Sequence, residues 1–275
     1  MSDTDTDAVS TSLHAEIADL EARLALARAR LPTIPAPAPP IPPASTSHLL
    51  LLLSDSALPL GSFAFSSGLE SYIAHQRTPR PSGLDSVSRF LQLSLHALST
   101  STLPFVIASH THPSTSHHLD DLFDASTTCP VARRTSISQG RALSTVFSKS
   151  LSPALPTTTT TTTSPFTTYR AAQPHGHFSV AWGLVCAACG VDLQSTCYLF
   201  LLGHVKAVVS AAVRMGLVGP YQAQALLAAE ETREAVGRGV ERGMGVPVEE
   251  AAGGVPVLDV YLGRHEVLYS RVFNS

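Results

Sequence analysis

The chain is short of charge. Asp, Glu, Lys and Arg make up 14 % of its 275 residues, against a usual share of about a quarter. Its 18 basic and 21 acidic residues give a net charge of −3, so it lacks the basic excess that a nucleic-acid-binding face requires. Four cysteines, Cys129, Cys186, Cys189 and Cys197, are too few to staple a chain of this length with disulfides. The first ten residues, MSDTDTDAVS, have neither the basic nor the apolar region of a secretory signal, and a cytoplasmic protein is expected. The most apolar run, Leu193 to Val218, is interrupted by His204, Lys206 and Arg214. Each would be costly at mid-bilayer, so the run reads as a buried helix and no membrane partner is expected.

Catalytic signatures are missing too. The stretch LLLLLSDSALPLGSFAFSSGLESYIAHQ, Leu49 to Gln76, holds Ser54, Ser56, Ser62, Ser66 and Ser67 with His75 nearby. GSFAFSSG is not a Gly-x-Ser-x-Gly elbow and no strand precedes it, so a serine hydrolase is disfavoured. Gly237, Gly239, Gly243 and Gly245 do not have dinucleotide-loop spacing, and no Gly-Lys-Ser/Thr occurs for a phosphate loop. The expectation is a protein that is not an enzyme. Its low charge favours an oligomer or complex that covers apolar surface.

What the chain does have is helical periodicity, and no run alternates in the manner of strands. The fold expected is all-α: one helical-bundle domain with a tethered N-terminal helix. Leu13, Ile17, Leu20, Leu24 and Leu31 form the apolar stripe of that helix over 13–31, followed by the proline-rich linker LPTIPAPAPPIPP; together they occupy 1–47. The main domain spans 48–275. Its predicted helices include one running unbroken from Ser82, a plausible N-cap, towards His110. Others are one capped by Asp192 and ended by Gly216, and one from Pro220 to about Val236. Low-complexity sequence around the seven threonines Thr157 to Thr163 reads as a mobile insertion over about 152–168, and 237–256 as a glycine-rich loop.

Within the opening stretch, Pro59 and Gly61 are expected to make a bend, Phe63 and Phe65 to anchor it, and Ser66 or Ser67 to cap the next helix. His110, His112, His117 and His118, with Asp120, Asp121 and Asp124, gather in SHTHPSTSHHLDDLFD. Imidazole and carboxylate suit nickel, zinc or copper; the competing reading is a solvated, His-rich interhelical loop. Cys186 and Cys189 lie in an apolar helical run and read as inert buried thiols. His204 and Lys206 read as paired groups on a buried helix, or more sharply as part of a polar passage.

Three blocks in order, LLLLLSDSALPLGSFAFSSGLESYI, GHVKAVVSAAVRMGLVGPYQAQ and RHEVLYSRVFNS, resemble the UreF family of urease accessory proteins over about 48–275. The extra segments resemble those of eukaryotic, fungal-type members. The resemblance implies a dimeric, all-helical, non-catalytic scaffold. Its expected partners are UreD (also called UreH), the GTPase UreG and the urease apoprotein, and it binds no stable cofactor, with nickel in transit through the complex. It further implies partner-facing roles for Ser66, Gly68, Glu70 and Tyr72, and for Arg141 of the block containing Gln139 and Gly140. The tail, with Tyr269, Ser270, Arg271, Phe273, Asn274 and Ser275, is expected over 264–275 as a segment flexible alone and ordered by a partner. The alternative function is a nickel metallochaperone using the His/Asp cluster.

Overall fold

The computed structural model describes residues 13–14, 16–23, 44–76, 82–155, 160–172 and 174–274. The chain divides into two compact units, 1–43 and 44–275. In the first, residues 16–23 form helix α1, with Arg23 and Asp19 3.8 Å apart on adjacent turns. Residues 13–14 are helical too; residues 15 and 24–31 of the helix expected over 13–31, and the proline-rich linker, lie outside the described residues.

The second unit is all-α among the described residues, as expected. Its helices are α2 (Ala44–Ser54), α3 (Leu69–Ala74), α4 (Gly83–Ser101), α5 (Leu103–Thr111), α6 (Ser116–Ser126) and α7 (Pro130–Val146). They are followed by α8 (Thr160–Ala171), α9 (Phe178–Ala188), α10 (Leu193–Arg214), α11 (Pro220–Ala228), α12 (Glu230–Met244) and α13 (Pro256–Arg264). Helix starts follow local chemistry. The Ser82 hydroxyl accepts from the Asp85 amide at 3.1 Å, and the Asp192 carboxylate accepts from the Ser195 amide at 2.8 Å.

Helix α9 is the centre of the bundle. Nine of its eleven residues are buried, enclosed by α5, α6, α7, α8 and α10. Its closest neighbour crosses at Gly183, where a Cβ would stand 2.1 Å from Ser109 Oγ and 2.4 Å from the Val106 carbonyl. Cys186, Cys189 and Cys197 pack here. Burial pushes the Cys189 and Cys197 thiols up to about 12 and Cys186 well above its ordinary value, so they are inert, as expected. Helix α10 is long and apolar enough to cross a membrane by length and composition, and half of its apolar window is buried.

Several boundaries differ from the periodicity. The helix expected to run from Ser82 to His110 breaks at Thr102, where Pro104 follows and the axis bends by 41°. The helix expected from Pro220 to Val236 breaks at Ala229, whose ψ of 141° is extended. The glycine-rich loop expected over 237–256 is helical as far as Met244. There Gly239 and Gly243 let α12 lie against Leu201 and Leu103, with a Cβ at those positions coming within 2.8 and 2.5 Å of the two side chains. The threonine-rich insertion is helical from Thr160, with Phe166 and Tyr169 buried; these two aromatics tie the low-complexity sequence to the core. The cluster region is also helical, over Ser116–Ser126, instead of an interhelical loop.

Candidate docking site at the C-terminal tail

The opening stretch folds as a bend. Gly61 adopts φ 70° and Gly68 φ 90°, conformations that cost other residues strain. Phe65 is buried, but Phe63 is 72 % exposed, so only one of the two expected anchors holds the turn. The N-cap of α3 is Gly68 itself, without a side-chain cap; the Ser66 hydroxyl instead meets the Glu70 amide at 3.4 Å. Glu70 and Tyr72 face inwards. The Tyr72 ring packs on Phe90 and edge-on against Tyr261 of α13, with centroids 5.2 and 5.4 Å away, and Leu262 of α13 lies over Gly68.

This geometry makes a seat for the end of the chain. Glu70 Oε1 accepts from the Val272 amide at 2.6 Å, and Oε2 accepts from the Phe273 amide at 3.1 Å and from His265 Nε2 at 3.0 Å. Charge-assisted bonds of this kind are the stronger class. His265 is fully buried and its Nδ1 has no hydrogen-bond partner among the described residues. Phe273 is 4 % exposed, with the Arg214 guanidinium 4.4 Å above its ring. Arg214 also donates to the Phe63 carbonyl, and the Asn274 amide donates to the Ala64 carbonyl at 2.9 Å. Arg134 of α7 pairs with Glu266 and donates to the Asn274 carbonyl at 3.3 Å. Hydrogen bonding to Arg134 holds the Glu266 carboxyl below the usual carboxylate range.

The tail expected to be flexible alone is therefore docked on its own domain. The first and last of the three sequence blocks are two halves of one structure. Ser66, Glu70 and Tyr72 are buried beneath α13 and the tail, so they present the tail instead of offering a surface themselves. Tyr269 is fully exposed, and Ser270, Arg271 and Asn274 are exposed beside it; Ser275 lies outside the described residues. Val267 and Val272 of the tail and Phe63 of the bend are 72, 69 and 72 % exposed. Arg141, exposed on α7, donates to the His175 carbonyl at 3.1 Å. Arg134, Arg214 and His265 are not legible as tail contacts in the sequence, because these roles depend on partners 59 to 195 residues distant along the chain; Arg214 and His265 do lie in the second and third of the quoted blocks.

The four histidines read as metal ligands are dispersed by helix geometry. His110 Nε2 bonds to the Val191 carbonyl at 2.8 Å, and His112 ends α5. His117 lies 3.7 Å from Asp121 on the outer face of α6, while His118 is exposed nearby. Asp120 turns into the core. No group of three or more His, Cys, Asp or Glu among the described residues is placed to hold a metal ion. Asp120, fully buried, instead accepts from Tyr169 Oη at 3.0 Å and from the Gly176 and His177 amides at 2.9 and 2.8 Å, anchoring the approach to α9. His177 donates from Nε2 to Asp124 at 3.0 Å, leaving Nδ1 to accept from Ser136 at 3.1 Å. Burial holds His177 below its ordinary value against the raising pull of Asp124. Asp124 is raised by burial but lowered more by Arg133 and His177, and ends below its ordinary value.

A cavity of about 480 Å³ opens among α4, α7, α9, α10 and α13, with Ser94, Trp182, Phe200, His204, Lys206 and Asp259 in its wall. His204 Nε2 lies 2.8 Å from Ser94 Oγ, and Lys206 donates to the Ser54 carbonyl. Burial pulls His204 down to about 4. Both groups are paired, as expected for polar residues on a buried helix.

A model of the UreF family matches residues 82–230. A Schizosaccharomyces pombe protein described as an uncharacterized urease accessory protein UreF-like is 39 % identical over 233 residues, covering 83 % of this chain and 97 % of the relative. Urease accessory protein F of Oryza sativa subsp. japonica is 32 % identical, covering 80 % and 82 %. Urease accessory protein 6 of Cryptococcus neoformans is 25 % identical, covering 85 % and 98 %.

Proposed function

The chain belongs to the UreF family of urease accessory proteins, and on that premise we propose that it is a non-catalytic scaffold for nickel loading of urease. In this reading it works in the cytoplasm as a homodimer and bridges a UreD homologue to the GTPase UreG, so that nickel passes to the urease apoprotein. The observation that carries the reading is the docked tail. Glu70 fixes the backbone of Val272 and Phe273, and Val267, Tyr269 and Val272 stand outward as a ready contact face. A face presented on fixed backbone spares the partner much of the ordering cost that a free tail would impose. The test is physiological. Cells lacking this gene should retain urease polypeptide but lose urease activity and its bound nickel, and both should return on re-expression; normal nickel-loaded urease without the gene would overturn the proposal.

A further inference from the structure

We propose that the cavity among α4, α7, α9, α10 and α13 is the binding site of a small uncharged molecule, apolar over most of its length and ending in a hydroxyl or carbonyl group. Its volume of about 480 Å³ is that of a small-molecule pocket, a class spanning about 300–1,000 Å³. Phe178 and Trp182 of α9 and Phe200 of α10 give it an aromatic wall. Phe178 and Phe200 stack with centroids 5.6 Å apart, and Trp182 lies 5.6 Å from the first and 6.5 Å from the second. Phe90, Leu199 and Leu258 extend the apolar surface, which suits a hydrocarbon body.

Two hydroxyls on the same wall define the other end of the ligand. Thr135 Oγ1 of α7 and Ser179 Oγ of α9 line the cavity, are buried, and have no hydrogen-bond partner among the described residues. Ser179 is only 1 % exposed. Ser136 Oγ accepts from the Phe178 amide at 3.1 Å, and each of these two residues adjoins one of the orphans in sequence, so the contact of α7 with α9 gathers both. Buried hydroxyls left unpaired are destabilising and uncommon. Each can donate and accept, so a ligand hydroxyl or carbonyl satisfies them where an alkyl chain does not.

The charged groups of the wall argue against an ionic ligand. Lys206 already donates to the Ser54 carbonyl, and Asp55 Oδ1 accepts from the Ala57 amide at 2.9 Å. An anionic head would be repelled by Asp55 and Asp259, and a cationic one by Lys206. His204 is bonded to Ser94 and drawn down to about 4 by burial, so it is uncharged at neutral pH. The polar groups left to recognise a ligand are the two orphan hydroxyls, and both are neutral.

Trp182 is the chain's only tryptophan, so its fluorescence reports on the cavity directly. The full chain is titrated with 1-octanol, octanoate and octylammonium, three probes that share one alkyl body and differ in the head. The expected result is a saturable change with 1-octanol, half complete below about 1 mM, and binding of both ions at least about tenfold weaker. Gly203 of α10 borders the cavity, and a Cβ there meets nothing within 4 Å. Gly203→Leu therefore fills the space while favouring the helix, and should abolish the response without lowering the melting temperature. Thr135→Val combined with Ser179→Ala removes both orphan hydroxyls and should weaken 1-octanol binding at least about threefold. No saturable response to 1-octanol, either ion binding as tightly as the alcohol, or unchanged 1-octanol affinity in either folded variant would overturn the proposal.

Discussion

Replacing Glu70 with glutamine tests how the tail is held. The carboxylate accepts three bonds, from Val272 N, Phe273 N and His265 Nε2. Glutamine keeps the shape and one carbonyl oxygen, which can continue to serve the Phe273 and His265 donors. Its amide group must then face the Val272 N–H, turning a 2.6 Å bond into a donor opposed to a donor. Loss of one charge-assisted bond at a buried site, with weakening of the other two, costs about 2–3 kcal/mol. Burial of Phe273, worth about 1.5–3 kcal/mol, remains. The Arg214 contact adds about 0.5–1 kcal/mol. The tail is therefore expected to open more often without the fold being lost. Amide hydrogen exchange at Val272 and Phe273 should speed up roughly 30- to 150-fold, while α9 amides exchange as in the unsubstituted chain. Tail exchange within about twofold of the original would refute the role assigned to Glu70.

Three further outcomes follow from the same contacts. Asp120→Asn should remove the acceptor for at least one of three buried donors; a loss of about 2–4 kcal/mol lowers the melting temperature by roughly 5–12 °C, and an unchanged melting curve would contradict it. Gly183→Ala should cost at least about 1–3 kcal/mol through forced separation of α5 and α9, read as a lower denaturation midpoint at unchanged slope. His204 sits near 4 in the folded chain against an ordinary value of about 6.5. Below the ordinary value the unfolded chain takes up a proton that the folded chain resists. Its contribution is thus complete above about pH 6.5 and lost down to about pH 4, amounting to about 3 kcal/mol. His177, also lowered by burial, acts in the same direction. Unfolding measured from pH 7 to 4 should show a shallower decline in His204→Gln; an equal decline would contradict this.

The parts of the fold that were legible in the sequence rest on local chemistry. Asp192 and Ser82 cap helices because a short oxygen-bearing side chain satisfies a free amide wherever it stands, and the apolar run from Leu193 had to be buried. The misread boundaries were decided by distant partners. Gly239 and Gly243 look like loop residues until Leu103 and Leu201 are seen beside them. Phe166 and Tyr169 rescue a threonine-rich stretch because Phe147 and Asp120 are there to meet them. The His/Asp cluster failed for a related reason. Successive residues on a helix step round the axis by about 100°, so exposed His118 and buried Asp120, two residues apart, point to opposite sides of α6 although they look like one ligand set in the sequence. The tail was legible as a block but not as a structure, since nothing local joins Glu70 to residues 265–273.

The most direct measurement is capture of a UreD homologue by the full chain and by a chain ending at residue 263, both co-expressed with it. The full chain should retain the homologue and the truncated one lose it, with helical circular dichroism nearly the same because α2 to α12 are intact. Equal capture by the two chains, or no capture by either, would contradict the role given to the tail.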